Sequence, residues 1–160
     1  DGQDADTLLK HADLALYRAK AEGRRLYRFF EPGMDSAAQA RRTLELELRR
    51  ALRAQEFELY FQPIVDAQTG EVSVCEALLR WRHPQKGMVG PAEFVPVLEE
   101  MALISEVGAW VLGEACRQAV RWPDGVRVAV NLSPLQFQSP NLAFTVTQAL
   151  AESGLSPTRL

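Results

Sequence analysis

The chain has 160 residues, of which 47% are hydrophobic and 24% charged, and its formal net charge is −3 at pH 7. This is an ordinary globular composition without the basic surplus that a nucleic-acid backbone attracts, so we expect no DNA or RNA partner. No apolar run approaches the roughly 20 residues that span a bilayer, and Asp1-Gly-Gln-Asp4 does not resemble a signal peptide. We therefore expect no membrane contact from this segment, although an anchor could lie upstream in a longer protein.

The two cysteines, Cys75 and Cys116, lack the spacing of metal ligands. Each is interpreted as a small apolar residue of the interior. Unpaired cysteines are typical of a reducing compartment, so the expected location is cytoplasmic.

The first 33 residues predict one helix and one strand. Asp6 precedes apolar residues at helical spacing and Gly23 follows them, which predicts a helix with an aspartate N-cap and a C-terminal glycine. The sequence of Leu26–Phe30 predicts a short strand that ends at a proline-glycine pair. Because one helix and one strand cannot form a domain, residues 1–33 are interpreted as the remnant of a domain that begins earlier.

Residues 34–55 predict a long helix. Leu44, Leu48 and Leu52 repeat every four residues as an apolar stripe, and five arginines occupy the remaining surface. These arginines could bind phosphate, although a solvated helix face is the simpler interpretation. We interpret residues 34–43 as a largely helical linker to a second domain, residues 44–160.

An antiparallel hairpin is predicted next, because residues 58–65 and 71–81 both alternate and a turn signal separates them. One face of its second strand carries Val72, Val74, Glu76, Leu78 and Arg80. The opposite face carries every second residue from Ser73 to Trp81. Both faces are expected to be buried.

The rest of the chain predicts alternating helices and strands. Pro91 should begin a short helix that Pro96 breaks or kinks, and helices at 105–121 and 137–153 should flank a strand at 127–133. His83, in a proline turn, is expected to be solvated or to cap the turn. Strand, helix, strand and helix after a hairpin are typical of a βαβ crossover, which favours a parallel sheet or barrel of the α/β class.

Glu76 is the most unusual residue of the hairpin. A carboxylate among apolar residues on a covered face is costly unless a cation or a hydrogen bond meets it, so Glu76 is either half of an ion pair or a metal ligand. Arg80 lies about 13 Å further along a regular strand and cannot reach it. The partner of Glu76 must therefore come from another element.

Three predicted strands each place one oxygen-bearing side chain inside an apolar environment: Gln62, Glu76 and Asn131. If the strands are neighbours, these oxygens can converge into a site for magnesium, manganese or calcium, which accept carboxylate and amide ligands. The alternative is that all three are core residues satisfied by backbone groups.

Ordered sequence blocks resemble the EAL domain family of cyclic-di-GMP phosphodiesterases. The blocks are Phe61-Gln-Pro-Ile64, Glu76-Ala-Leu-Leu-Arg-Trp-Arg-His-Pro84, Pro91-Ala-Glu-Phe94 and Val130-Asn-Leu-Ser-Pro134. The resemblance implies a partial TIM-like (β/α)8 barrel whose first strand runs antiparallel, with the site at the C-terminal strand ends.

The same resemblance implies roles for five residues. Glu76 and Asn131 would bind the catalytic Mg2+ or Mn2+, and no other catalytic residue is expected in the chain. Gln62 would line the nucleotide site, Leu79 would lie beside the guanine, and Arg80 would contact the substrate phosphate.

Ala12-Asp-Leu-Ala-Leu-Tyr-Arg-Ala-Lys20 and the following residues resemble the closing helix and strand of GGDEF domains, the diguanylate cyclase family. The resemblance implies that Lys20 and Arg24 lie near nucleotide phosphates. A solvated helix end and a turn are the alternative for these two cations, because the loop that names the family is absent from this chain.

The implied reaction is hydrolysis of cyclic di-GMP to linear pGpG with divalent metal ions. The family's later acidic residues and its lysine would lie beyond Leu160, so we expect the 160-residue chain alone to be inactive. Two alternatives stay open: a degenerate EAL module that binds cyclic di-GMP or a protein partner without catalysis, and a purely structural segment. A homodimer through the EAL domain is a further expectation from family resemblance.

Overall fold

A computed structural model describes residues 4–21, 23 and 25–160. Their elements in chain order are α1 (Ala5–Ala21), α2 (Met34–Ala54), β1 (Phe57–Val65), β2 (Val72–His83), β3 (Gly87–Val89), α3 (Pro91–Glu100), α4 (Ile104–Ala119), β4 (Arg127–Val130), α5 (Pro134–Phe137), α6 (Leu142–Ser153) and a 3₁₀ turn (Pro157–Arg159). The chain divides into two compact units, residues 1–46 and 47–160, and α2 crosses the division. No helix in the described ranges is long and apolar enough to cross a membrane.

In the first unit, α1 begins two residues earlier than predicted, and Asp4 rather than Asp6 caps it. The Asp4 carboxylate accepts hydrogen bonds from the Thr7 backbone N–H at 2.8 Å and from the Thr7 hydroxyl at 2.9 Å. These bonds favour the charged carboxylate and lower the pKa of Asp4. An N-cap precedes the first helical residue, so the acid before the helix could cap it and the acid inside it could not.

The strand predicted at Leu26–Phe30 is wrong, since these residues are irregular. Tyr27 and Phe29 are each 78% exposed. A strand needs a neighbour to complete its ladder, and the described residues provide none for this segment. Lys20 is exposed near the end of α1, and Arg24 lies outside the described residues.

The second unit is built on a four-stranded sheet with β2 at its centre. The antiparallel β1–β2 hairpin is confirmed, with Gln62 opposite Glu76. β4 runs parallel to β2, with Ala129 opposite Glu76, which confirms the βαβ crossover. The three-residue strand β3 pairs antiparallel with the end of β2 and was missed by the sequence analysis.

The apolar core lies on one face of this sheet. Ala77 packs in a cluster with α4 and α6 residues, and Trp81, further along the same face of β2, is fully buried. The expectation that both faces of β2 are buried is wrong, because Glu76, Leu78 and Arg80 on the other face are only half-buried and Val72 is 40% exposed. Alternation indicates that side chains separate into two faces, but not that something covers each face.

Three element boundaries differ from prediction because local capping and packing override the patterns. α3 continues through Pro96, and its buried residues Phe94, Val97 and Leu98 hold it against the unit. β4 ends at Val130 instead of continuing to residue 133. Ser133 is instead the N-cap of the short helix α5, so the following helix, α6, begins only at residue 142.

Candidate active site

Gln62, Glu76 and Asn131 lie on the same face of the sheet. Gln62 is directly opposite Glu76 in the antiparallel register. The parallel register puts Ala129 beside Glu76, so Asn131, two residues further along, points to the same side. The Asn131 Nδ2 donates a hydrogen bond of 2.6 Å to the Glu76 Oε1. The convergence expected from the three strands is therefore observed for Glu76 and Asn131, whereas Gln62 lies opposite Glu76 in β1, on the other side of β2 from β4.

The direction of this hydrogen bond determines which oxygens stay available. Asn131 uses its amide N–H on Glu76, so its carbonyl oxygen is left as an acceptor, together with the second carboxylate oxygen of Glu76. In the described part of the chain, no basic side chain lies within 4.0 Å of the Glu76 carboxylate, so the ion-pair alternative is not realised there. Carboxylate and amide oxygens fit a hard divalent cation.

Glu76 and Asn131 together offer two side-chain oxygens to a divalent cation, fewer than such an ion prefers. Within residues 4–21, 23 and 25–160 there is no group of three or more histidine, cysteine, aspartate or glutamate side chains that could hold an ion. A carboxylate and an amide by themselves would hold Mg2+ weakly, because this ion prefers more oxygen ligands.

Arg80 lies on the same face as Glu76. Its Nη1 donates a 2.9 Å hydrogen bond to the Leu79 carbonyl oxygen. Glu58 is opposite Arg80 in the register, but the Glu58 carboxylate binds both Nε and Nη2 of the diagonal residue Arg82. This pairing lowers the pKa of Glu58 and raises that of Arg82. Among the described carboxylates, none lies within 4.0 Å of the Arg80 guanidinium, which keeps donors for an anion.

Leu79 lines a mostly apolar cavity of about 440 Å³ that also contacts Asn131. The cavity walls come from β2, α3, α4 and the segment after β4, and they include Val95, Glu99 and Val107. An apolar pocket beside a few polar groups is typical of a site for an organic ligand. Of the five predicted site residues, Gln62, Glu76, Arg80 and Asn131 thus share a face, while Leu79 belongs to the adjoining cavity.

A polar network that the sequence analysis missed is centred on Ser133, two residues after Asn131. The Ser133 hydroxyl donates a short hydrogen bond to the Glu99 carboxylate, and the Ser133 backbone N–H donates to the Gln136 Oε1 at 3.0 Å. Ser133 and Gln136 are 9% and 5% exposed. The sequence signal was present, since serine followed three residues later by glutamine is a capping box.

A second missed cluster joins α2 to the end of β2. His83 is buried, and its Nδ1 accepts hydrogen bonds from the Gln85 and Lys86 backbone N–H groups, so it caps the turn but is not solvated. Its Nε2 and the Lys86 Nζ each lie 3.2 Å from the Glu47 Oε2. Burial by itself raises the pKa of Glu47, but the Lys86 and His83 side chains outweigh it and hold this pKa below its ordinary value.

The second unit is a mixed α/β fold with a polar candidate site at the carboxyl end of β4. The family model for the EAL domain matches residues 45–160. An uncharacterised signalling protein of Caulobacter vibrioides is 47% identical over 160 residues, which cover 100% of this chain and 20% of that protein. The bifunctional diguanylate cyclase/cyclic di-GMP phosphodiesterase MucR of Pseudomonas aeruginosa is 44% identical over 164 residues, covering 100% and 24%.

The solved structure of the MucR phosphodiesterase in complex with c-di-GMP superposes with a TM-score of 0.71 at 43% identity, over 74% of this chain and 49% of that chain. The chain belongs to the EAL domain family. It spans about a fifth to a quarter of the length of the two curated relatives. Phosphodiesterases of this family depend on divalent metal ions in general. The interpretation of residues 1–33 as a GGDEF remnant stays a prediction.

Proposed function

We propose that a protein carrying this segment hydrolyses one phosphodiester bond of cyclic di-GMP and releases linear pGpG. The hydrogen bond from the Asn131 amide to the Glu76 carboxylate carries the proposal, because it holds a carboxylate and an amide side chain from separate segments next to each other. The family and the c-di-GMP complex of a relative with 43% identity support the choice of substrate.

Glu76 and Asn131 would hold the divalent cation, Mg2+ or Mn2+, with ligands from the rest of the domain. When bound there, the cation supplies positive charge that polarises a phosphoryl oxygen and lowers the pKa of water. The chain's own contribution is to hold the two oxygens in place before the ion arrives, since the Asn131 amide cannot rotate without breaking its bond to Glu76.

Three further residues would bind the nucleotide. Arg80 would donate its remaining N–H groups to a phosphate, Leu79 would contact a guanine from the apolar cavity, and Gln62 would line the nucleotide site beside Glu76. The pairing of Glu58 with Arg82 supports this role for Arg80, because it engages the carboxylate that lies opposite Arg80 in the register.

The proposal extends to the organisation of the chain. Residues 1–33 would be the end of a GGDEF domain, residues 34–43 a helical linker, and residues 44–160 the first part of an EAL domain that acts in the cytoplasm and forms homodimers. The 160-residue chain alone is expected to turn over no cyclic di-GMP, because one carboxylate and an amide bind Mg2+ weakly.

Turnover by a full-length protein that carries this segment tests the proposal. With Mg2+ or Mn2+ present, the wild-type protein should convert cyclic di-GMP to pGpG, as measured by chromatography. Glu76→Gln should lower the rate at least about 100-fold, since loss of even an outer partner of a metal costs 10- to 100-fold. Glu71→Gln, at an exposed position just before the same strand, is the matched control and should leave the rate unchanged.

Undiminished turnover by the Glu76→Gln protein would remove Glu76 from the metal site. Binding of cyclic di-GMP without any turnover by the wild-type protein would instead favour the degenerate module that binds without catalysis.

A further inference from the structure

The position of Asn131 needs an explanation, because neither pairing nor burial holds it. The ladder between β2 and β4 ends at the pair of Ala77 and Val130. Asn131 lies immediately beyond this end and is exposed. An exposed asparagine after a strand has several accessible rotamers, and only some of them direct its amide at Glu76.

Ser133, two residues further on, is held by hydrogen bonds to two other residues of the unit. Its hydroxyl donates to the Glu99 carboxylate of α3, and its backbone N–H donates to the Gln136 side chain of α5. The same hydroxyl accepts a 3.3 Å hydrogen bond from the Leu135 backbone N–H. With Val130 held in the sheet and Ser133 held by these bonds, the two residues between them have little freedom to move.

α4 fixes this network from the opposite side. Gln136 lies against Gly108, where a methyl group would be only 2.0 Å from the Gln136 Nε2 and 2.8 Å from its Cδ. The missing side chain of Gly108 therefore makes the space in which the Gln136 amide reaches the Ser133 backbone. Glu99, Gly108, Asn131, Ser133 and Gln136 all line the same 440 Å³ cavity.

We propose that Ser133 is a positioning residue which, through Glu99 and Gln136, holds the Asn131 carboxamide against Glu76. The inference rests on the proposed function, because it assigns Ser133 a role in preparing the cation site. Ser133 need not touch the cation or the nucleotide, since its effect on the site passes through Asn131. An outer group of this kind typically changes metal affinity by 10- to 100-fold.

The test uses a full-length protein that carries this segment, with Mn2+ alone as the probe, measured by the loss of the free-ion EPR signal. Ser133→Ala should weaken Mn2+ binding about tenfold. Ser133→Thr keeps a hydroxyl, and threonine is also a favoured N-cap residue, so this variant should bind Mn2+ with the wild-type affinity. Ser139→Ala is the matched control, because Ser139 also accepts a local backbone hydrogen bond, from Asn141, outside this network.

If the Ser133→Ala protein does not fold, Glu99→Ala tests the same hydrogen bond from α3. Glu99→Ala should weaken Mn2+ binding, and Glu99→Gln, which keeps an acceptor, should weaken it less. Wild-type affinity in the Ser133→Ala or Glu99→Ala protein would overturn the inference. An equal loss in the Ser139→Ala protein would do the same.

Crystal structures of the metal-free wild-type and Ser133→Ala proteins separate this inference from the proposed function. The Asn131 Nδ2 should leave the Glu76 Oε1 in the variant, and an unchanged contact would overturn the positioning role. Failure of the wild-type protein to bind Mn2+ would contradict the proposed function, whereas the position of Asn131 in the two structures would still decide the inference.

Discussion

The two faces of β2 differ although the same strand builds both. On one face, Ala77, Trp81 and His83 are buried, and Trp81 packs against Phe57 in a tilted contact and against Phe94 edge-on, with ring centroids 6.3 and 5.9 Å away. On the other face, Glu76, Leu78 and Arg80 are only half-buried, and their polar groups contact Asn131 and a backbone carbonyl.

The two faces of β2 therefore have different roles, one in stability and the other in the candidate site. The buried face contributes the apolar contacts that hold the sheet to its helices, so truncation there should unfold the unit. The half-buried face keeps charged groups where water and a ligand can reach them. Substitutions on the buried face should therefore mainly lower the free energy of unfolding, and substitutions on the half-buried face should mainly weaken ligand binding. Four substitutions test this comparison.

The largest effect is expected at Trp81. Trp81→Ala should lower the free energy of unfolding by about 3–5 kcal/mol, because it leaves a cavity at a fully buried site. It also removes the donor to the Glu56 carboxylate at 3.0 Å. Urea unfolding measures the loss. Leu78→Ala on the opposite face is the control and should cost only about 1 kcal/mol. Equal losses at the two positions would remove the distinction between the faces.

Arg80 should show the reverse behaviour. Arg80→Ala should weaken cyclic di-GMP binding by roughly 10- to 100-fold, the range for a lost hydrogen bond to a charged group, with little change in the unfolding midpoint. Isothermal titration with EDTA present measures binding without turnover. Arg121→Ala, at an exposed arginine that follows α4, is the matched control. Unchanged affinity in the Arg80→Ala protein would exclude Arg80 from the phosphate site.

A smaller, pH-dependent effect is expected where β2 meets α2. The pKa of Glu47 is lowered in the folded chain, so its ion pair with Lys86 and its contact with His83 stabilise the fold above the unfolded pKa of about 4.3, and this contribution disappears as the pH falls through the lower folded value. The free energy of unfolding should therefore be about 1–2 kcal/mol higher for the wild type than for Glu47→Gln at pH 7, and the difference should shrink as the pH falls below about 4.3. A difference that does not depend on pH would show that the lost charge is not the cause.

The smallest effect is expected at the ion pair between Glu58 and Arg82, which lies on the half-buried face of the sheet. Glu58→Gln should shift the melting temperature by no more than about 2 °C, because exposed ion pairs contribute little to stability. Thermal unfolding at low and high salt measures the shift. A larger shift would mean that the pair stabilises the hairpin, and the assignment of stability to the opposite face would need revision.

Local patterns accounted for much of the fold. The alternation of residues 58–65 and 71–81 predicted the hairpin, and the apolar side of residues 105–121 predicted α4, because side-chain direction follows directly from strand and helix periodicity. The same periodicity put Gln62 and Glu76 on sides that could meet. The failures fell on segments such as Leu26–Phe30, where local propensity predicted a strand without a neighbour.

The candidate site was recognised only in part from the sequence. The oxygen-bearing residues of three strands were identified, but the capping box that begins at Ser133 was not connected to them, since its partner Glu99 is 34 residues away. For His83 the capping alternative is confirmed by the hydrogen bonds that its Nδ1 accepts, but its burial beside Glu47 was not predicted.

The sequence by itself determined the hairpin, the crossover that follows it and which side chains of β2 share a face, since these follow from short-range periodicity and from the turn residues. Only the tertiary structure decided that Asn131 meets Glu76, that one face of β2 stays half-open, and that α3 and α4 hold the segment after β4. These features depend on strand register and on contacts between distant residues, and no local pattern encodes either of them.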